Sequence, residues 1–294
     1  MAQAGKTLHD PALGAQSAAR IAAFANVLRA NGFAIGLAES RDALAVLASP
    51  AGRRSNLLKP ALRALFSATR EDWLERVLRD IPEGSRLLDA GAGEQQFRKY
   101  CGHLRYVSQD FAQYDPTQLA TGLQMPTWDY GKLDIICDIN AIPEPDCSFD
   151  AILCAEVFEH LPDPIQALCE FARLLRPGGT LILTAPFCSL THFAPFHFYS
   201  GFSRYFYETH LPRHGFEIVE LEPNGNFFEY LAQEINRVES VAAKYCQEQI
   251  QDWEIWALRA LLDMLERFSE RDTHSYELLN FGYHVMGRQV DNNT

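Results

Sequence analysis

From Gly84 onward, short apolar runs alternate with longer stretches whose apolar residues recur at helical spacing, the pattern of strands and helices laid down in turn. Strands are predicted at 86–89, 105–109, 135–137, 151–154 and 180–183, a sixth at 216–221 and a seventh within 275–286. A helix is predicted over 162–176, stopped by Pro177-Gly178-Gly179. With right-handed crossovers, this alternation gives an α/β fold, a doubly wound, seven-stranded and mostly parallel sheet. Ahead of it, 17–30 carries Ile21, Phe24, Ala25 and Leu28 at helical spacing, and 42–48, 57–66 and 72–78 read as further helices. Between the sixth and seventh strands, 226–272 is too long for a hairpin loop. It carries helical stripes at Phe228, Leu231, Ala232 and Ile235 and then at Trp253, Trp256, Leu261 and Leu265, so a helical insertion is expected there. The chain thus divides into an N-terminal helical cap (1–83), a sheet core (84–225 with 273–290) and the insertion (226–272).

At 294 residues and 47% hydrophobic, the chain can bury a full core. Its seven cysteines form no C-x-x-C pair, and Cys137, Cys154 and Cys169 fall in apolar runs, so free thiols in a reducing cytoplasm are expected. No leader pattern opens the sequence and no apolar run approaches membrane-spanning length, so a soluble protein with no membrane partner is expected. The net charge of −12 is uneven: residues 1–83 hold 11 Lys/Arg against 8 Asp/Glu, and the remainder 15 against 30. An acidic body argues against nucleic acid, whose binding needs a cationic surface. Arg53, Arg54, Lys59 and Arg63 form a modest basic patch, read as a solvated helix face.

The candidate chemistry begins at 84–100. The apolar run Arg86-Leu-Leu-Asp89 leads into Gly91 and Gly93, and 95–100 is predicted to start a helix. A strand, a glycine turn and a helix N-terminus make a cup where backbone approaches a ligand closely. Asp89-Ala-Gly-Ala-Gly93, Asp110 at the end of the second strand, Asp138-Ile-Asn-Ala-Ile-Pro143, the run 148–164 containing Glu156-Val-Phe-Glu-His160, and 174–184 follow in order. Together they resemble the motifs of the class I S-adenosylmethionine-dependent methyltransferases, over roughly 84–223 and a last strand near 278–287. That resemblance implies a seven-stranded Rossmann-like fold, S-adenosylmethionine as cofactor with S-adenosylhomocysteine as product, and a hairpin-like edge from the last two strands.

Carried onto this chain, the resemblance implies that Gly91, Ala92 and Gly93 face the cofactor with their backbone and that Phe111, Ala155 and Glu156 border it. Asp110, 21 residues after Asp89, suits the ribose: a carboxylate accepts both hydroxyls in charge-assisted hydrogen bonds. Asp89 is expected to orient the loop and meet the methionine ammonium, directly or through water. Asp138 is expected to accept from the adenine amino group while Ile139 packs on the ring. Gln95 departs from the family, which often has a third glycine there. Gln96 departs from the Gly-x-Gly-x-x-Gly of dinucleotide sites, which argues against an NAD-dependent oxidoreductase.

The transfer itself is an in-line displacement at carbon that needs alignment and, for a hydroxyl acceptor, a base near neutral pKa. After the fifth strand, 187–207 contains nine aromatic residues with His192 and His197 among them. One reading makes it a substrate lid with His197 or His192 as general base; the other makes it a small aromatic core with the histidines as spacers. His160 is a weaker candidate, on a helical face shared with Glu156. No metal is expected, since the spacings of His192, His197, His210 and His214 fit no standard zinc pattern. The leading function is methyl transfer to O or N of a small-molecule acceptor such as a metabolite, sugar or natural product. A noncatalytic S-adenosylmethionine-binding or partner-binding protein on the same fold is the alternative. The N-terminal helices and 226–272 serve either a homodimer contact or substrate enclosure.

Overall fold

The computed structural model describes residues 70–118, 122–125 and 127–290. The helices predicted at 17–30, 42–48 and 57–66, and the basic patch at 53–63, lie outside them. The chain divides into two compact units, 72–231 with 268–294 and 1–71 with 232–267.

The first unit is built on a seven-stranded sheet: β1 (Arg86–Ala90), β2 (Arg105–Asp110), β3 (Ile135–Ile136), β4 (Phe149–Ala155), β5 (Leu175–Pro186), β6 (Phe216–Asn224) and β7 (Gly282–Gln289). Their spatial order is β3-β2-β1-β4-β5-β7-β6. All pairs are parallel except those of β7, which runs antiparallel between β5 and β6. All seven predicted strands are present. Alternation along them sends side chains to opposite faces. Leu87, Ala151, Leu153 and Ile182 join the cluster under helix α1 (Arg70–Arg79), with Trp73, Leu74, Val77 and Leu78. Leu88, Ile152, Cys154 and Leu183 join the other, larger cluster. Its helices are α2 (Pro164–Leu174), through Leu168 and Phe171, and α3 (Arg204–Arg213), through Tyr207 and Leu211. The chain winds outward from β1 to β3 and then returns to the other side of β1, so a crevice opens beyond the carboxyl ends of β1 and β4.

The helix expected at 95–100 shrinks to a single 3-10 turn, Arg98–Tyr100. Gln95 takes φ +57°, a left-handed conformation that no helix interior accommodates. Within 226–272 two helices form, α4 (Phe227–Tyr245) and α5 (Asp252–Ser269). On α5 the predicted stripe is corrected. Leu262 and Leu265 are buried, whereas Trp253 and Trp256 are 66% and 70% exposed. At 3.6 residues per turn, Trp256 stands on the opposite side of the helix from Leu265. All seven cysteines are free thiols. Among the described residues, no helix is long and apolar enough to cross a membrane.

Candidate functional site

β1 runs straight into the glycine elbow. Gly91 and Ala92 donate their N–H groups to Gln109 O at 2.9 and 2.8 Å, and Gly93 donates to Asp110 Oδ2 at 2.9 Å. Both glycines have positive φ, +77° and +50°, and a Cβ on Gly91 would stand 2.5 Å from Val157 Cγ2, so neither the conformation nor the space admits a side chain. Gln95 is left-handed without that freedom. Its Nε2 donates to Tyr130 O and Lys132 O at 2.9 and 3.0 Å, tying the segment after β2 down over the elbow. Asp129 N–H on Glu94 Oε1 (3.0 Å) adds a third tie, and Trp128 covers Gly93.

Asp110 is buried at the end of β2. Its Oδ2 holds the Gly93 N–H and its Oδ1 the Ala112 N–H at 2.9 Å. Burial pushes its carboxyl upward, and the backbone donors of Ala112, Gly93 and Phe111 pull the other way. A carboxylate oxygen has two lone pairs, so each still has one to offer a hydroxyl, and the residue fits an adenosyl ribose. Asp89 is turned elsewhere: its Oδ2 accepts the Tyr106 hydroxyl at 2.5 Å. Burial raises its pKa to about 7, with the Tyr106 bond opposing and the nearby Asp110 assisting. Asp138 is exposed and accepts the Asn140 N–H at 2.9 Å. Its neighbour Ile139 is only 5% exposed and belongs to the larger core. Phe111 meets Phe196 edge-on, with centroids 4.8 Å apart. Ala92 is buried and Ala155 half-buried at the strand ends.

The turn after β4 does not form the helical face expected for Glu156 and His160. Glu156 is left-handed at φ +56°, and only Phe158–His160 make a 3-10 turn. That turn nevertheless carries the densest chemistry of the molecule. Glu159, its side chain 1% exposed, brings Oε1 to 3.6 Å from His160 Nε2 and 3.8 Å from His192 Nε2. His192 and His197 rings lie 5.0 Å apart, and those of His160 and His192 4.7 Å. His160 Nδ1 donates to Phe196 O at 2.5 Å, and His192 Nδ1 to Leu190 O at 2.8 Å. His197 Nε2 lies 3.1 Å from Ser189 Oγ. Burial lowers the His160 pKa to about 3, assisted by His192 and His197, and burial with His192 lowers that of His197.

The loop bearing these histidines is pinned from below, since Phe198 and Tyr199 donate their N–H groups to Glu159 O at 2.9 and 3.1 Å. Phe193 links the two halves of the site: its ring lies 4.9 Å from Trp128, 4.5 Å from Tyr114 and 5.2 Å from His160. The loop is thus partly an aromatic core and partly a wall between Asp110 and the histidines. The pattern of apolar and polar positions gives no role to Glu159, Tyr106 or Trp128, whereas Phe193 lies in the aromatic stretch it singled out. Of the first three, Glu159 alone left a trace, a carboxylate beside a histidine at a strand end. His210 and His214 pair with each other on and just after α3, His214 Nδ1 donating to His210 O at 2.7 Å.

Residues 88–183 match a family described as a methyltransferase domain, and residues 21–75 a family described as a CoxE N-terminal helical bundle domain. A demethylmenaquinone methyltransferase of Tropheryma whipplei is 32% identical over 149 residues, 51% of each chain. A ubiquinone biosynthesis O-methyltransferase of Xanthomonas oryzae is 54% identical over 104 residues, 34% of this chain and 43% of that one. The chain spans about half the length of the curated relatives it matches. Among solved structures, an S-adenosylmethionine-dependent methyltransferase from Mesorhizobium loti aligns with 76% of this chain and 99% of its own, at 15% identity and a TM-score of 0.42. Phosphoethanolamine N-methyltransferase 2 of Haemonchus contortus, in complex with S-adenosyl-L-methionine, aligns with 75% and 53%, also at 15% and 0.42.

Proposed function

We infer, from the match of residues 88–183 to a methyltransferase domain and from motifs that resemble those of the class I S-adenosylmethionine-dependent methyltransferases, that the chain transfers a methyl group to a small-molecule acceptor. The observation that carries this reading is Phe193, whose ring meets Trp128, which covers the glycine elbow, and His160, which lies beside Glu159 and His192. S-adenosylmethionine brings a methyl carbon already activated by a cationic sulfur. The chain's own work is therefore to hold, align and deprotonate. Asp110 accepts the ribose hydroxyls, and Gly91, Ala92 and Gly93 line the methionine with backbone. Asp138 takes the adenine amino group beside the edge of Ile139. Phe111, Ala155 and Glu156 border the ligand, and Asp89 steadies the elbow through Tyr106.

The acceptor reading narrows to a hydroxyl on a planar ring. Tyr114, Trp128 and Phe193 pack as an aromatic cluster beside the histidines, a surface on which a planar ring could stack, and the relatives' names concern quinones. His197 or His192 takes the hydroxyl proton as the oxygen forms its bond to carbon and the carbon–sulfur bond breaks. His160, buried with Nδ1 committed to Phe196 O, is the weaker base. The acidic balance of the chain speaks against a nucleic-acid acceptor. Calorimetry with S-adenosylmethionine, S-adenosylhomocysteine and NAD tests the cofactor; binding of NAD alone refutes it. Transfer of a labelled methyl into phenolic acceptors tests the reaction. Unchanged turnover in both His192→Ala and His197→Asn removes them as bases.

A further inference from the structure

We propose that Glu159, His160 and His192 form a binding site for one divalent cation of the zinc class. Their ligand atoms, one carboxylate oxygen and two imidazole nitrogens, all lie within 4.8 Å of one another. In a tetrahedral zinc site with bonds of about 2.1 Å, neighbouring ligand atoms stand about 3.4 Å apart. Glu159 Oε1 is 3.6 and 3.8 Å from the two Nε2 atoms, close to that separation, and the whole set stays within 4.8 Å.

The orientation of the rings argues the same way. A carbonyl oxygen can only accept, so the bonds to Phe196 O and Leu190 O place a proton on Nδ1 of each histidine. In the neutral tautomer that this fixes, the lone pair of each ring is on Nε2, the atom within 4 Å of Glu159 Oε1. This is how metal-bound histidines are held in place: the distal nitrogen is anchored to backbone or carboxylate and the near one faces the ion. A divalent cation among these three atoms would meet one carboxylate oxygen and two ring nitrogens.

The ligands come from two loops. Glu159 and His160 are adjacent in the turn after β4, and His192 lies in the loop after β5. That is why no ligand spacing announced them, and the set replaces the combination of His192, His197, His210 and His214 considered from sequence. Three protein ligands leave a fourth position open, as in catalytic zinc sites. Here the inference rests on the methyl-transfer reading. An acceptor hydroxyl filling that position loses its proton more readily, and His197, one ring away from His192, is placed to take it. Cation binding itself is independent of that reading.

The test uses the full chain, stripped with a chelator and titrated with zinc sulfate by calorimetry, with cobalt(II) as a visible-absorption probe. The expected result is one equivalent bound, weakened at least about ten-fold by His192→Ala and by Glu159→Gln, and unaffected by His274→Ala at an exposed histidine. Failure of the wild type to take up zinc, or wild-type affinity in His192→Ala, overturns the site. Where Glu159→Gln fails to fold by circular dichroism, His192→Ala, on a half-buried loop position, still decides. S-adenosylmethionine affinity is measured on the same samples. Retained cofactor binding without zinc overturns the cation site and leaves the methyl-transfer reading standing. Zinc binding without cofactor binding supports the site and sinks that reading.

Discussion

Asp110 is asked to do two jobs at once. Its oxygens hold the Gly93 and Ala112 N–H groups and keep a lone pair each for a sugar diol. Replacing it with Asn substitutes an amide for one acceptor oxygen and removes the charge. A hydrogen bond to a charged group contributes about 1.5–3 kcal/mol. Asp110→Asn is therefore expected to weaken S-adenosylmethionine binding by roughly 10- to 100-fold, as calorimetry would report; an unchanged Kd would remove Asp110 from the ribose. The place of Asp110 at the end of the second strand was legible from the residue pattern, and the structure puts it there. Gln95 was legible as a departure but not in its consequence. Its φ of +57° explains why a glycine would be at ease there, and its two bonds to Tyr130 O and Lys132 O show what the side chain does instead. Glu159 was hidden because its partner His192 lies in a different loop, and a lone sequence carries no trace of such pairings.

Among the elements, α2 shows the clearest passage from sequence to structure. Asp163 caps it by accepting the Gln166 N–H at 3.0 Å, Pro164 opens its first turn, and Ala167, Leu168, Phe171 and Leu174 recur on the buried face. Asp163→Ala is expected to cost about 1 kcal/mol, read as a lower urea midpoint with an unchanged slope. The strands were equally open to reading, because apolar runs between glycine and proline turns have little other meaning. The stretch after the glycine elbow was not: 95–100 has helical composition, but the ties to 129–132 hold it in a turn. Composition likewise misplaced Trp253 and Trp256, since a stripe read residue by residue ignores which side of the helix faces the core. The loop after β5 left both its readings open; Phe202, Phe206 and Tyr207 pack in or against the core, as the second reading has it.

For the whole molecule, Asp89 sets a pH dependence of stability. Burial lifts its pKa to about 7, so the folded chain keeps a proton that an unfolded carboxyl gives up near pH 4. Its contribution is therefore full below about pH 4 and is lost as the pH rises through about 7, a change on the order of a few kcal/mol. Urea midpoints at pH 5 and pH 8 check this: the wild type should lose more stability between them than Asp89→Asn does, and equal losses would show that the carboxyl ionises normally. The seven-stranded, mostly parallel sheet was legible from the alternation of elements together with the motif resemblance, while the order of its strands comes from the structure. The last strand was placed only roughly by the residue pattern, because β7 pairs with β5 and β6 at long range. Its central position has a consequence for biosynthesis. While the ribosome is still making 226–281, β5 and β6 cannot be joined, and each presents a row of open backbone groups to any passing strand. A nascent chain stalled before Gly282 is then a sticky intermediate that calls for chaperone shelter, and release of the final strand is the event that closes the sheet.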